Sequence, residues 1–114
     1  MTLNAYQEKA LRTARVNEDD KTNPLDLARD ALGVAGEAGE VADLIKKVIG
    51  HGHELDVGKV KKELGDVLWY VAVLAHRFGF TLEDVAAANV EKLRKRYPEG
   101  FSEERSRNRQ GEQP

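Results

Sequence analysis

Between Asn23 and Val48 the chain reads NPLDLARDALGVAGEAGEVADLIKKV. A proline at 24 suits the first turn of a helix, where its missing N–H leaves no bond unmade. From there Leu27, Ala28, Ala31, Ala35, Ala38, Ala42 and Ile45 recur at helical spacing. The stretch therefore predicts one long helix, ending near Val48, with these residues as its apolar side. Inside it lie Gly33, Gly36 and Gly39. Each glycine costs about 1 kcal/mol relative to alanine in a helix. Three within one short segment imply that a neighbouring helix or a ligand approaches the backbone closely.

The same helical spacing extends in both directions, with no strand alternation. Upstream, Leu3, Tyr6, Ala10 and Leu11 mark a first helix from about Leu3 to Val16, followed by a polar loop from Asn17 to Asn23. Downstream, Gly50-His51-Gly52-His53 forms a break. A third helix is expected from near Asp56 to near Phe78, with Val60, Leu64, Val67, Val71, Leu74 and Phe78 as its stripe. Gly79 is a C-terminal stop. Thr81, with Asp84 three residues on, is the expected cap of a fourth helix, and Pro98 ends it. Short links join these helices, so the fold class is all-α, an antiparallel bundle of four main helices. Residues 1–101 form its domain. From Ser102 to Pro114 the chain is polar and poor in apolar residues, so residues 102–114 are expected to be a disordered tail.

With 114 residues the chain has room for one domain. A domain this small gains much from an oligomer interface. A net charge of −2 supplies no basic field for a nucleic-acid polymer. The absence of cysteine excludes disulfides and thiolate metal sites. No apolar run approaches the ~18 residues of a membrane span, and the polar start, Met1 to Gln7, lacks a signal-peptide core. A cytoplasmic location follows as the default expectation.

Acidic residues carry the chemistry. Glu37 and Glu40 stand three apart on the second helix, and Glu63 and Asp66 three apart on the third. That spacing puts each pair on one helix face. Helices joined by a short link pack as antiparallel neighbours, so the two pairs could face each other. Four carboxylates brought together repel unless a cation sits among them. All-oxygen ligands suit Mg²⁺ or Mn²⁺ rather than zinc. On spacing alone, a solvated face with Lys59 and Lys62 pairing to Glu63 and Asp66 is the competing reading.

On the fourth helix Asn89, Lys92 and Arg96 share the side of Leu82, Val85 and Leu93. Cations on an inward face need partners: the carboxylates or a bound phosphate, which arginine can grip through two parallel bonds. The alternative is that both cations snorkel to water. His51 and His53 in a glycine-rich link are expected to be solvated, and His76 to be a surface residue. Trp69 could stack on a base, but packing is the commoner role.

Gly36-Glu37-Ala38-Gly39-Glu40-Val41, then Glu63-Leu64-Gly65-Asp66-Val67-Leu68-Trp69-Tyr70, then Asn89-Val90-Glu91-Lys92-Leu93-Arg94-Lys95-Arg96-Tyr97-Pro98 with Gly100-Phe101 resemble, in this order, the three motifs of MazG-like, all-alpha nucleoside triphosphate pyrophosphohydrolases. The resemblance covers roughly residues 25 to 101. It implies a helical bundle assembled as a homodimer or homotetramer. It implies cleavage of a nucleoside triphosphate between the α and β phosphates, with Mg²⁺ held by Glu37, Glu40, Glu63 and Asp66 as the catalytic, metal-binding residues. Asn89, Lys92 and Arg96 match substrate-contacting positions, and Tyr70 matches one that lines the pocket. A triphosphate facing four carboxylates cannot bind without metal. Water is the expected nucleophile, with no covalent intermediate. The preferred base, and which carboxylate acts as base, stay open. Two other readings are a phosphoribosyl-ATP pyrophosphohydrolase-like enzyme and a non-catalytic helical interaction module.

Overall fold

The computed structural model describes residues 1–108. They form five helices: α1 (Leu3–Leu11), α2 (Pro24–His51), α3 (Val57–Arg77), α4 (Leu82–Arg96) and α5 (Glu103–Arg107). The described residues contain no strand, only an isolated bridge between Pro98 and Gly100. The all-α class is therefore observed. The chain divides into two units, Met1–Leu82 and Glu83–Pro114.

Local chemistry sets the helix ends in the first unit. The Thr2 hydroxyl accepts from the Ala5 N–H at 3.0 Å, Asn23 Oδ1 from the Leu25 N–H at 3.0 Å, and Asp56 Oδ1 from the Lys59 N–H at 3.1 Å. Each satisfies one of the N–H groups a helix start leaves free. Helix α1 stops at Leu11, short of the expected Val16. The Thr13 hydroxyl donates to the Ala10 carbonyl at 2.9 Å and the chain tightens into turns there. Helix α2 runs through Gly50 and ends at Gly52, whose φ of 70° makes it a left-handed cap.

Helices α2 and α3 pack antiparallel. Asp30 lies opposite Arg77, Gly33 opposite Tyr70, and Glu37 opposite Glu63 and Asp66. The face of α2 used for this contact differs from the expected apolar side. Asp30 is buried, and Gly33, Val34, Glu37, Val41, Leu44 and Val48 are half-buried; of the expected side Leu27 is half-buried, whereas Ala28, Ala31, Ala35, Ala38, Ala42 and Ile45 are exposed. The counted stripe was alanine-rich, and the contact face mixes aliphatic residues with glycine and carboxylates. On α3 the buried residues are Ala72, Val73, Ala75 and Arg77. Leu64 and Phe78, expected in the stripe, are exposed, while Val60, Val67, Val71 and Leu74 are half-buried.

Ala10, Ala72, Ala75 and Leu82 form the core cluster, with Tyr6, Trp69 and Val71 packed against it. Gln7 is buried there and fully used. Its Nε2 donates to the carbonyls of Ala72 at 3.0 Å and Phe80 at 3.1 Å, and its Oε1 accepts from the Leu82 N–H at 3.1 Å. A buried amide bonded through both its nitrogen and its oxygen fixes α1 against α3.

In the second unit α4 carries Glu83 and Asp84 in its first turn and Arg94, Lys95 and Arg96 in its last, the charge order that a helix dipole favours. Within the segment expected as a tail, Ser102 caps the short, exposed α5. The remainder of that segment, residues 109–114, lies outside the described residues.

Candidate metal and substrate site

The contact face of α2 and the facing edge of α3 bring carboxylates together. Ligand oxygens of Glu37, Glu63 and Asp66 all lie within 4.8 Å of one another. Glu37 and Glu63 are half-buried and Asp66 is exposed. Glu40 is exposed and outside this group, but near enough for its charge to act on Glu37. Three of the four expected ligands converge, and the fourth flanks them one turn along α2.

The electrostatics fit a cation site. Desolvation raises the Glu37 pKa above the usual carboxylate range, and the negative charges of Asp66, Glu63 and Glu40 raise it further, as does hydrogen bonding to Glu63. Like charges held this close disfavour ionisation unless a cation joins them, and hard oxygen donors suit Mg²⁺ or Mn²⁺. Tyr6 of α1 also feels the group: burial, then the Asp66 charge, pushes its phenol pKa up. The sequence marked Tyr6 only as an apolar-side residue.

Tyr70 lies one turn past Asp66. A Cβ added at Gly33 would fall within 2.6 Å of three atoms of the Tyr70 ring, so this glycine is what lets the ring lie against α2. Gly36 and Gly39 have nothing within 4 Å of that position. Among the described residues, the close approach expected of all three glycines holds for Gly33 alone. Beside Tyr70, Trp69 meets the ring edge-on, with centroids 4.9 Å apart, and its Nε1 donates to the Thr13 hydroxyl at 2.8 Å. Both rings line a cavity of about 220 Å³ together with Arg15, Arg29, Asp30 and Arg77.

Asp30 and Arg77 went unnoticed in the sequence. Both are 2% exposed and form an ion pair, Arg77 Nε to Asp30 Oδ2. Arg77 also donates to the carbonyls of Lys21 at 3.2 Å and Arg15 at 3.4 Å, which ties the segment before α2 to α3. The available signal was register: Asp30 falls on the face of Gly33 and Glu37, and Arg77 lies two turns past Tyr70. His76 is half-buried and bonds Glu18 at 2.8 Å, which lowers the Glu18 pKa. The rings of His51 and His53 lie edge-on at 6.3 Å, and neither joins the acidic group.

Asn89, Lys92 and Arg96 belong to α4, in the other unit. Asn89 and Lys92 are exposed and Arg96 is half-buried. Among the described residues no helix is long and apolar enough to cross a membrane.

The chain is 38% identical over 73 residues to the Gene 37 protein of Mycobacterium phage L5, a match covering 60% of this chain and 64% of that protein. It is 50% identical over 36 residues to the uncharacterized protein YvdC of Bacillus subtilis (strain 168), covering 32% of this chain and 34% of the relative. The matched region thus spans less than two thirds of either relative. No solved structure matches. The profile of the MazG nucleotide pyrophosphohydrolase domain matches residues 29–101, which contain the whole acidic group, Tyr70 and α4. The chain belongs to the MazG nucleotide pyrophosphohydrolase domain family.

Proposed function

We propose that this protein is a cytoplasmic, Mg²⁺-dependent nucleoside triphosphate pyrophosphohydrolase. It cleaves between the α and β phosphates, giving nucleoside monophosphate and pyrophosphate, and serves nucleotide-pool housecleaning. The observation that carries this reading is the convergence of Glu37, Glu63 and Asp66 within 4.8 Å on facing helices, in a chain of this family. Mn²⁺ is a possible substitute.

Glu37, Glu63 and Asp66 would hold the divalent ion, with Glu40 one turn away. When bound, the ion offsets the charge of the triphosphate and polarises a phosphoryl oxygen. A carboxylate of the group orients a water and takes its proton as the water oxygen bonds to phosphorus. The bond from that phosphorus to the bridging oxygen breaks, and pyrophosphate or monophosphate departs accordingly. Tyr70, held by Gly33, walls the substrate cavity. Asn89, Lys92 and Arg96 are assigned to substrate contact on the resemblance of their motif alone.

The proposal includes a homo-oligomer, a dimer or a tetramer. Its support is the outward face of α2, where Leu25 and Leu32, two turns apart, are 81% and 71% exposed beside the open Gly36 and Gly39. Apolar exposure along one helix marks an interaction surface. Sedimentation of the protein tests it, with Leu32→Glu expected to yield monomer and an unchanged mass counting against it.

The experiment for the site is Glu63→Ala. The variant should fold, lose triphosphate turnover, and lose the rise in Tm that Mg²⁺ gives the native protein by binding only its folded state. Undiminished turnover by Glu63→Ala would remove the proposed metal site.

A further inference from the structure

Residues 12–23 join α1 to α2, and α3 holds this connection through the side chains of Trp69, His76 and Arg77. Trp69 Nε1 donates to the Thr13 hydroxyl at 2.8 Å. Arg77 donates to the carbonyls of Lys21 at 3.2 Å and Arg15 at 3.4 Å. Between those two points of the chain, His76 Nε2 lies 2.8 Å and 3.1 Å from the carboxylate oxygens of Glu18. A turn presents Glu18, with Asn17 Oδ1 accepting from the Asp19 N–H and the Asn17 carbonyl from the Asp20 N–H, each at 3.0 Å. The connection is thus a strap along the C-terminal half of α3. Thr13, Ala14 and Arg15, at its start, wall the cavity of about 220 Å³ together with Trp69 and Tyr70.

The ties made by Trp69 and Arg77 do not titrate near neutral pH, since one donor is an indole and the other a guanidinium. Histidine is the side chain that changes charge between pH 5 and 8. We propose that His76 and Glu18 form a pH-sensitive clasp on the strap, closed in mild acid and loosened as pH rises, and that the clasp governs access to the cavity. Charged, His76 holds Glu18 by an ion pair; neutral, it holds it by a weaker hydrogen bond. Glu18 stays ionised across this range. Hydrogen bonding to His76, then the charges of His76, Lys21 and Arg77, hold its carboxyl below the ordinary range against some desolvation. A lowered carboxylate pKa withdraws its contribution only below that range, so the charge on His76 sets the change near neutral pH. From α2, Asp26 and Asp30 are paired with Arg77, and Arg29 pairs with both. The longest bond of the strap to α3, at the Arg15 carbonyl, lies next to the cavity wall. Release of Glu18 is therefore passed on to residues 13–15.

Hydrogen exchange tests the clasp, with wild type, Glu18→Gln and His76→Gln compared at about pH 5.5 and about pH 7.5, either side of the ordinary histidine range. At the lower pH each variant should lose protection over residues 13–20 by about two- to fivefold relative to wild type, as an exposed ion pair allows. At the higher pH the difference should fall below about twofold. The amides of the buried Ala72 and Val73 should keep native protection, the mark of a local opening. Trp69 is the sole tryptophan of the chain, so its quenching by acrylamide, a neutral probe, reads access to the cavity. Quenching should rise from the lower pH to the higher in wild type and stay at the higher-pH level in both variants. The Glu18 side chain is 64% exposed, so Glu18→Gln should fold even if the half-buried His76 tolerates no substitute. A loss of protection equal at both pH values, absent at both, or shared by Ala72 and Val73 would overturn the clasp. Quenching that ignores pH and both variants would overturn its control of the cavity. These readouts use no nucleotide and no metal, so their outcome is separate from that of the function proposed above.

Discussion

Replacing Gly33 with alanine should destabilise the protein, although alanine is the better helix former. A Cβ at position 33 would lie within 2.6 Å of Cε1, Cδ1 and Cζ of Tyr70, where ordinary contact begins at 3.4 Å. The nearest ring atom must therefore retreat by about 1.1 Å to reach ordinary contact. It is a rigid plane flanked by Trp69, so it cannot yield as the end of a lysine would. Overpacking of this kind costs about 1–3 kcal/mol, against which the helix preference for alanine returns about 1 kcal/mol. The net expectation is a loss of up to about 2 kcal/mol, or a Tm lowered by up to roughly 15 °C. Gly36→Ala and Gly39→Ala meet nothing within 4 Å among the described residues. As monomer changes they should raise stability by about 0.5–1 kcal/mol each. Thermal denaturation of the three variants is the assay, with Gly33→Ala/Tyr70→Ala as a control that removes the clash. A Gly33→Ala protein as stable as wild type or more so would refute the packing argument. A loss in Gly36→Ala or Gly39→Ala that shrinks on dilution would reveal a second copy on that face.

Three further outcomes are expected. Arg77→Met should cost about 3–5 kcal/mol, because it strands the buried Asp30 carboxylate; adding Asp30→Leu should recover part of that loss in chemical denaturation. In chelator, Tm should fall as pH rises above the ordinary carboxylate range, because Glu37 has a folded pKa above its unfolded value and the folded state then binds more protons. Glu37→Gln should flatten that slope, and Mg²⁺ should weaken it by competing with the proton, so a slope unchanged by both would contradict the assignment. Lys92→Ala should keep the native Tm and lower kcat/KM for triphosphates; unchanged kinetics would make Lys92 a solvated side chain.

Much of the site was legible because its chemistry is local. Carboxylates three apart on each of two helices must share a face, and a short link makes those helices antiparallel neighbours. The face itself was harder. Counting apolar residues on α2 selected its alanines, yet the side that meets α3 carries Asp30, Gly33 and Glu37. A helix that presents ligands to its neighbour must place polar groups where a core helix would place aliphatic ones. Asp30 and Arg77 are 47 residues apart, and each alone reads as a solvated charge. Their burial is a tertiary fact that helical periodicity does not encode. At the early end of α1 the Arg12, Thr13 and Ala14 N–H groups turn to carbonyls three residues back and the Thr13 hydroxyl bonds Ala10, local bonding that apolar spacing does not register.

The central claim is best tested by product analysis. Purified protein is incubated with a panel of ribo- and deoxyribonucleoside triphosphates, with Mg²⁺ or with chelator, and the products are separated by chromatography. Monophosphate and pyrophosphate, formed only with Mg²⁺ and not by Glu63→Ala, are the predicted result. Diphosphate and orthophosphate, or turnover that persists in chelator, would contradict it.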